Sequence, residues 1–578
     1  MLMHRSTAAQ KKRAAKHVLR SRLLVGVTTL AVVGATTLAT DGPLTSSALA
    51  ADSEECGSSP VPTFFQDAVA QPPIAEPDRT GHYTLTAKLA THQFSSQWLA
   101  VPTLGYSTKN AVVGYLGPTI VTKKGQPIDV TLINGLRPSG TPMFPFEAPG
   151  DPHAVVMHRH GGLQQAVDDG VPGQEILPGG SRTNHYPNDQ AAAPLWYHDH
   201  ADPGTSYRVY EGLAGFMPNT DALEPQFNLP AGDFGKAYVL QDKSFNADHM
   251  LCYTHANPEF FGDLPVVNGT IAPYQQVEPR RYTFTFVNGS DSRFYHMTLQ
   301  QRSGASGTAP QMTVVGSDSG YLLRPSRVND LLVAPGERYK VVVDFTGHAS
   351  QNWVLANDAS SPYPDGDDSI APIPQLMRFD VGRAVTSADG SSIPNLIPES
   401  NDLIPPAGSL LVARLRTVQA GESAPGVAQL GDAVQLRKFA DSPTEKPKLG
   451  STEAWAMRNH SPDTHPIHEH LVELRLVGRW HVGKWDNGKP VPSTIGPFQA
   501  PGAFESGPKD TFVAPKDTIT VWVGKYTIGG KSVWHCHILS HEDATIQMMR
   551  PLEVGARPQT QLPLVLTQAR LDRLLRQP

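Results

Sequence analysis

The run Tyr282-Thr283-Phe284-Thr285-Phe286-Val287 consists of aromatic and β-branched residues, the composition that fits a half-buried strand. Runs of the same kind recur at Tyr83 to Ala87, Ile128 to Ile133, Tyr339 to Phe345 and Thr518 to Val523. Glycine and proline, 50 and 52 in number, punctuate the chain between them. Turn signals every ten or so residues between short strands predict an all-β architecture of sandwiches or barrels. No long stretch keeps a helical period.

At 578 residues the chain is too long for one core. Pro, Gly, Asn and Ser accumulate at Pro218 to Pro230 and at Arg383 to Ser409, which predicts three consecutive β domains over 51–222, 223–385 and 386–557. A tail over 558–578 alternates apolar and basic residues, as a surface helix or a frayed end does. The formal net charge of −6 gives no general attraction to nucleic acid or to anionic membranes.

Residues 1–50 have a different character. Seven basic residues from Arg5 to Arg22 precede an apolar run from Leu23 to Ala39, and Ala48-Leu49-Ala50 offers a small-residue cleavage site. That order predicts a secretory signal peptide, with an N-terminal membrane anchor as the alternative reading. The expectation is a secreted protein, extracellular or in the cell envelope, with no stable membrane insertion after cleavage. Arg20 and Arg22 are not adjacent, so the export route stays open. Only Cys56, Cys252 and Cys536 occur, too few for a disulfide framework.

The chemistry is concentrated in histidine. Ten of the 22 histidines fall in four groups: His158 and His160; His198 and His200; His465, His468 and His470; and His535 and His537 around Cys536, followed by His541. In a strand, residues i and i+2 share a face, so each His-x-His pair can offer two imidazoles to one cavity. The same alternation sends Cys536 to the face opposite His535 and His537. One thiolate with two imidazoles suits an electron-transfer copper, whereas all-imidazole sites with open positions suit copper that binds oxygen. Structural zinc prefers closed, cysteine-rich sites, which this composition does not offer.

These four groups resemble, in order and spacing, the signatures of the multicopper oxidases: His158-x-His160-Gly161, His198-x-His200, His465-Pro466-x-His468-x-His470 and His535-Cys536-His537-x-x-x-His541. The resemblance runs from about Tyr83 to Val554 and includes Val267-Asn268-Gly269 and Ala334-Pro335-Gly336-Glu337-Arg338-Tyr339. Within the family, Gly161-Gly162, Leu195-Trp196-Tyr197 and His541-Glu542-Asp543 look most like spore-coat laccases, phenoxazinone synthases and bilirubin oxidases.

The resemblance implies three cupredoxin-like Greek-key β-barrel domains and four copper ions. It assigns the type 1 ion to His465, Cys536 and His541, and the type 2 ion to His158 and His468. The type 3 pair falls to His160, His198, His200, His470, His535 and His537. The Met548-Met549-Arg550-Pro551 run stands two residues later than in the relatives, so counting from Cys536 puts Ile546 in the axial direction and aligning the methionines puts Met548 there. A thioether suits a weak axial position, which favours Met548. By the same resemblance Asp169 and Glu542 assist proton delivery. With Cys536 reserved for metal, Cys56 and Cys252 become candidates for one disulfide.

The implied activity is one-electron oxidation of a small aromatic reductant, phenolic or aminophenolic, coupled to four-electron reduction of dioxygen to water. A metal-ion oxidase and a bilirubin oxidase are the rival enzymes, although no methionine-rich insert is present. An electron carrier without oxygen chemistry would leave eight of the histidines without a role.

Overall fold

The computed structural model describes residues 56–138, 140, 142–147, 151–254, 258–301, 307–398, 410–543, 548–555 and 564–576. The signal-peptide reading, Ile546 and part of the Arg383 to Ser409 break lie outside these residues. No helix among the described residues is long and apolar enough to cross a membrane.

The first of three β units contains β1 (His82–His92), β2 (Val101–Ser107), β3 (Ile128–Asn134), β4 (Met157–His160), β5 (Ser181–Tyr186), β6 (Trp196–Asp199) and β7 (Ala214–Phe216). The middle unit is built around β8 (Gly235–Phe245), β9 (Leu264–Val267), β10 (Arg281–Asn288) and β11 (Arg338–Asp344). The third contains β12 (Arg414–Ala424), β13 (Val427–Asp432), β14 (Thr452–Asn459), β15 (His465–Glu469), β16 (Thr511–Ala514), β17 (Thr518–Lys525), β18 (Gly530–Cys536) and β19 (Met549–Val554). Three short helices matter here: α1 (Thr205–Glu211), α2 (Leu539–Glu542) and α3 (Gln568–Leu575).

One strand order is repeated three times. In the first unit β2 pairs antiparallel with β1, β1 parallel with β3, and β3 antiparallel with β5. The orders β9-β8-β10-β11 and β13-β12-β14-β17 reproduce the same sequence of antiparallel, parallel and antiparallel pairings. A parallel pair cannot be closed by a tight hairpin and needs a crossover, made in each unit through the intervening strand.

The run Tyr282 to Val287 forms most of β10. Tyr282, Phe284 and Phe286 point into the middle unit's core with Tyr339 and Val341, while Val287 points the other way, into a cluster shared with Trp196, Phe216 and Leu539. Both faces of this sheet are therefore covered. Each fully buried Phe or Val contributes roughly 1.5–3 kcal/mol. The shared cluster seats the first and third units against the middle one.

Cys56 and Cys252 are joined as a disulfide, Cα to Cα 5.8 Å. Residues 564–576 of the tail are part of the third unit's core: Leu564–Leu566 pairs with Leu410–Val412, α3 buries Leu571 and Leu575, and Asp572 accepts a hydrogen bond from Trp480 Nε1.

Candidate metal centre

Strand register assembles the site. In the first unit β4 and β6 run antiparallel with His158 opposite His198, so His158, His160, His198 and His200 share one face. In the third unit β15 lies between β16 and β18, with Ile467 opposite Cys536 and His468 opposite His535. Odd positions on β15 thus face the Cys536 side and even positions face the His535 side. His465 falls with Cys536, and His468 and His470 fall with His535 and His537.

His465, Cys536 and His541 form one cluster, with the Cys536 Sγ 3.5 Å from His465 Nδ1 and 3.8 Å from His541 Nδ1. The single turn of α2 returns His541 to the cysteine. Met548 is anchored beside both: its N–H donates to the His541 carbonyl at 2.7 Å and its carbonyl accepts from the Cys536 N–H at 3.0 Å. The Met548 side chain is buried in the same core cluster as Cys536. Behind the histidines, His465 Nε2 meets Ser461 Oγ at 2.7 Å and His541 Nε2 lies 3.7 Å from Glu259.

The other eight histidines meet where the first and third units join. His158 stacks on His470 with ring centroids 3.9 Å apart, and His160 stacks on His468 at 3.7 Å. Their donor atoms form overlapping groups: His158, His160 and His198; His158, His468 and His470; His200, His470 and His535. His537 closes the nest, its Nε2 3.2 Å from His160 Nδ1.

The outward nitrogens are held by acceptors. The Asp169 carbonyl accepts from His158 Nδ1 at 2.7 Å, and its carboxylate accepts from His470 Nδ1 at 3.0 Å. Glu542 reaches two ligand strands, lying 3.1 Å from His200 Nδ1 and 3.0 Å from His535 Nδ1. Both acids named from the sequence are therefore at the cluster. Burial pushes the Asp169 carboxyl up to about 8.

The donor set fits copper. Every one of the eleven residues is at most 1% exposed, and the inward Nε2 atoms of His158, His198, His200 and His468 have no hydrogen-bond partner. Where Nδ1 donates its hydrogen, the inward Nε2 presents a lone pair, as a metal ligand requires. Burial, reinforced by neighbouring imidazoles, pushes His158, His160, His200, His468, His470 and His537 well below the ordinary histidine range, so they are neutral. Burial also pushes the Cys536 thiol well up, so a thiolate there depends on a cation beside it. One thiolate with two imidazoles beside an all-imidazole nest has the type 1, type 2 and type 3 copper pattern.

Sequence reasoning missed Asp510. Its carboxylate accepts from His160 Nε2 at 3.0 Å and its carbonyl from His468 Nδ1 at 3.0 Å. It stands in Lys509-Asp510-Thr511, far from any histidine motif, and only the pairing of β16 with β15 brings it to the site.

Sequence models of the family described as multicopper oxidase match residues 150–220, 266–369 and 413–557. The laccase of Bacillus subtilis (strain 168) is 30% identical over 85% of this chain and 98% of its own length. The bilirubin oxidase of Albifimbria verrucaria is 30% identical over 84% of this chain and 80% of its own. The crystal structure of the McoA multicopper oxidase from Aquifex aeolicus superposes with a TM-score of 0.67 at 23% identity, covering 85% of this chain and all of that one.

An all-β chain of three cupredoxin-like domains with these copper sites is an oxidoreductase that uses dioxygen. This chain belongs to the multicopper oxidase family.

Proposed function

We propose that this oxidase is laccase-like, drawing single electrons from phenolic or aminophenolic reductants and reducing dioxygen to water. The observation that carries the reading is the adjacency of two sites at the end of β18: Cys536 on one face and His535 and, just past the strand, His537 on the other, one residue step apart. Copper held in these sites supplies the one-electron acceptor and the oxygen-reducing centre.

The chain's own residues do the rest. His465, Cys536 and His541 would hold the electron-accepting ion, with Met548 beside them as its weak sulfur donor. His158 and His468 would hold the type 2 ion; His160, His198, His200, His470, His535 and His537 would hold the type 3 pair. Asp169 and Glu542 deliver protons at the histidine nest, where four are consumed for each dioxygen. Glu259, 3.7 Å from His541 Nε2, would accept a hydrogen bond from a phenolic hydroxyl or an aromatic amine.

Export through an N-terminal signal is part of the same reading. The Cys56 to Cys252 disulfide supports it, since such bonds persist in oxidising compartments.

The test is oxygen uptake by the copper-loaded protein with phenols, an aminophenol, bilirubin and cuprous, ferrous or manganous ions. Turnover highest on phenols and aminophenols supports the proposal. Turnover confined to metal ions or to bilirubin overturns it.

A further inference from the structure

We infer that Arg338, from the middle domain that supplies none of the eleven ligands, is the positioning residue for the histidine nest. The inference rests on the copper reading above and concerns how its ligands are held.

Arg338 is fully buried and all five of its guanidinium hydrogens are used. Nε donates to the Pro194 carbonyl of the first domain at 3.1 Å. Within the middle domain, Nη1 donates to Gly336 O at 3.1 Å and Nη2 to Asp318 O at 2.9 Å. The remaining two form a fork on Asp510 of the third domain, at 2.6 and 2.5 Å. One planar cation therefore ties three domains together at a single point. Two parallel hydrogen bonds fix direction as well as distance, which a lysine ammonium does not do.

Asp510 carries that fixed direction into the nest. Its Oδ1 accepts from His160 Nε2, which commits His160 to its Nδ1 lone pair, and that atom faces His537 Nε2 at 3.2 Å. The other histidines of the nest whose outward hydrogen is held by Nδ1, such as His158, His468 and His470, present Nε2 instead. Ser319 Oγ and Thr511 Oγ1 donate to the two Asp510 oxygens at 3.1 and 2.9 Å, so the carboxylate has no freedom to turn. The same loop contributes a second contact. Gly336 has φ +82°, and a Cβ there would sit 2.7 Å from the His537 ring, so only glycine allows this loop to pack under that ligand.

A positioning role separates the two copper classes, because Arg338 acts through Asp510 on His160 of the nest and has no hydrogen bond to the Cys536 cluster. The experiment compares holoenzyme of Arg338→Lys, Arg338→Gln and Asp510→Asn with the parent. It measures copper per chain, the blue thiolate band, the type 2 paramagnetic resonance signal, and kcat and KM for one phenol. The expected result is an unchanged blue band with a shifted type 2 signal or lost nest copper. With it, kcat falls about 10–100-fold, the usual cost of removing an outer partner of a metal ligand, at constant KM. Arg338→Lys should retain more nest copper than Arg338→Gln. If Arg338→Gln does not fold, Asp510→Asn, nearly identical in shape, carries the same expectation.

Four coppers with an unshifted type 2 signal and parental kcat in a folded variant would overturn the inference. So would parallel loss of the blue band and nest copper, the signature of a merely structural residue. A parent protein that binds no copper would instead remove the underlying functional reading.

Discussion

His470 and His535 meet with their Nε2 atoms 3.1 Å apart, although each has its Nδ1 hydrogen committed elsewhere, to Asp169 and to the Cys536 carbonyl. Two facing lone pairs repel, and a cation shared between them removes the repulsion. Copper removal should therefore lower the melting temperature and copper addition restore it. A ligand at a hundred times its dissociation constant stabilises the native state by about 2.7 kcal/mol. Equal melting of the apo and loaded forms would count against this site.

The pH dependence of the copper-free protein follows from the buried histidines. Burial lowers His198 from 6.5 to about 4 and His541 to about 3. Between those values and 6.5 the unfolded chain binds more protons than the folded one, so stability falls as pH drops through that window. Urea unfolding of apoprotein at pH 7 and pH 5 should show the loss. A flat profile would mean that these rings are hydrated without metal.

Cys536→Ser should abolish the intense blue absorption and electron entry while preserving the fold, since thiolate-to-copper charge transfer needs the sulfur. Absorption spectra and circular dichroism of the loaded variant check both halves.

Glu542→Gln replaces two acceptor oxygens, beside His200 and His535, with one acceptor and one donor. Turnover should fall about 10–100-fold with copper content intact. Copper analysis with steady-state oxygen uptake separates this from metal loss; an unaltered rate at all pH values would leave Glu542 without a catalytic part.

Met548→Leu should keep the blue colour and raise the potential of the Cys536 copper, because a weak sulfur donor that favours oxidised copper is removed. As a core change alone it costs under about 1.5 kcal/mol. Redox titration is decisive: an unchanged potential in Met548→Leu, with a drop in Ile546→Met, would place the axial direction at Ile546.

The donor set and its division into two sites were legible in the sequence because they depend on strand alternation, a local property. His535-Cys536-His537 must present its sulfur to one side and its imidazoles to the other in any extended backbone. The β class was legible for the same reason, in runs such as Tyr282 to Val287. Tertiary structure alone decided which groups meet across domains: His158 against His470, Glu542 between His200 and His535, and Asp510 behind His160. It also decided that residues 564–576 pack into the third domain. Apart from Glu542 with His535, those contacts join residues distant in the chain, and their geometry comes from how whole sheets pack, which no short-range pattern encodes.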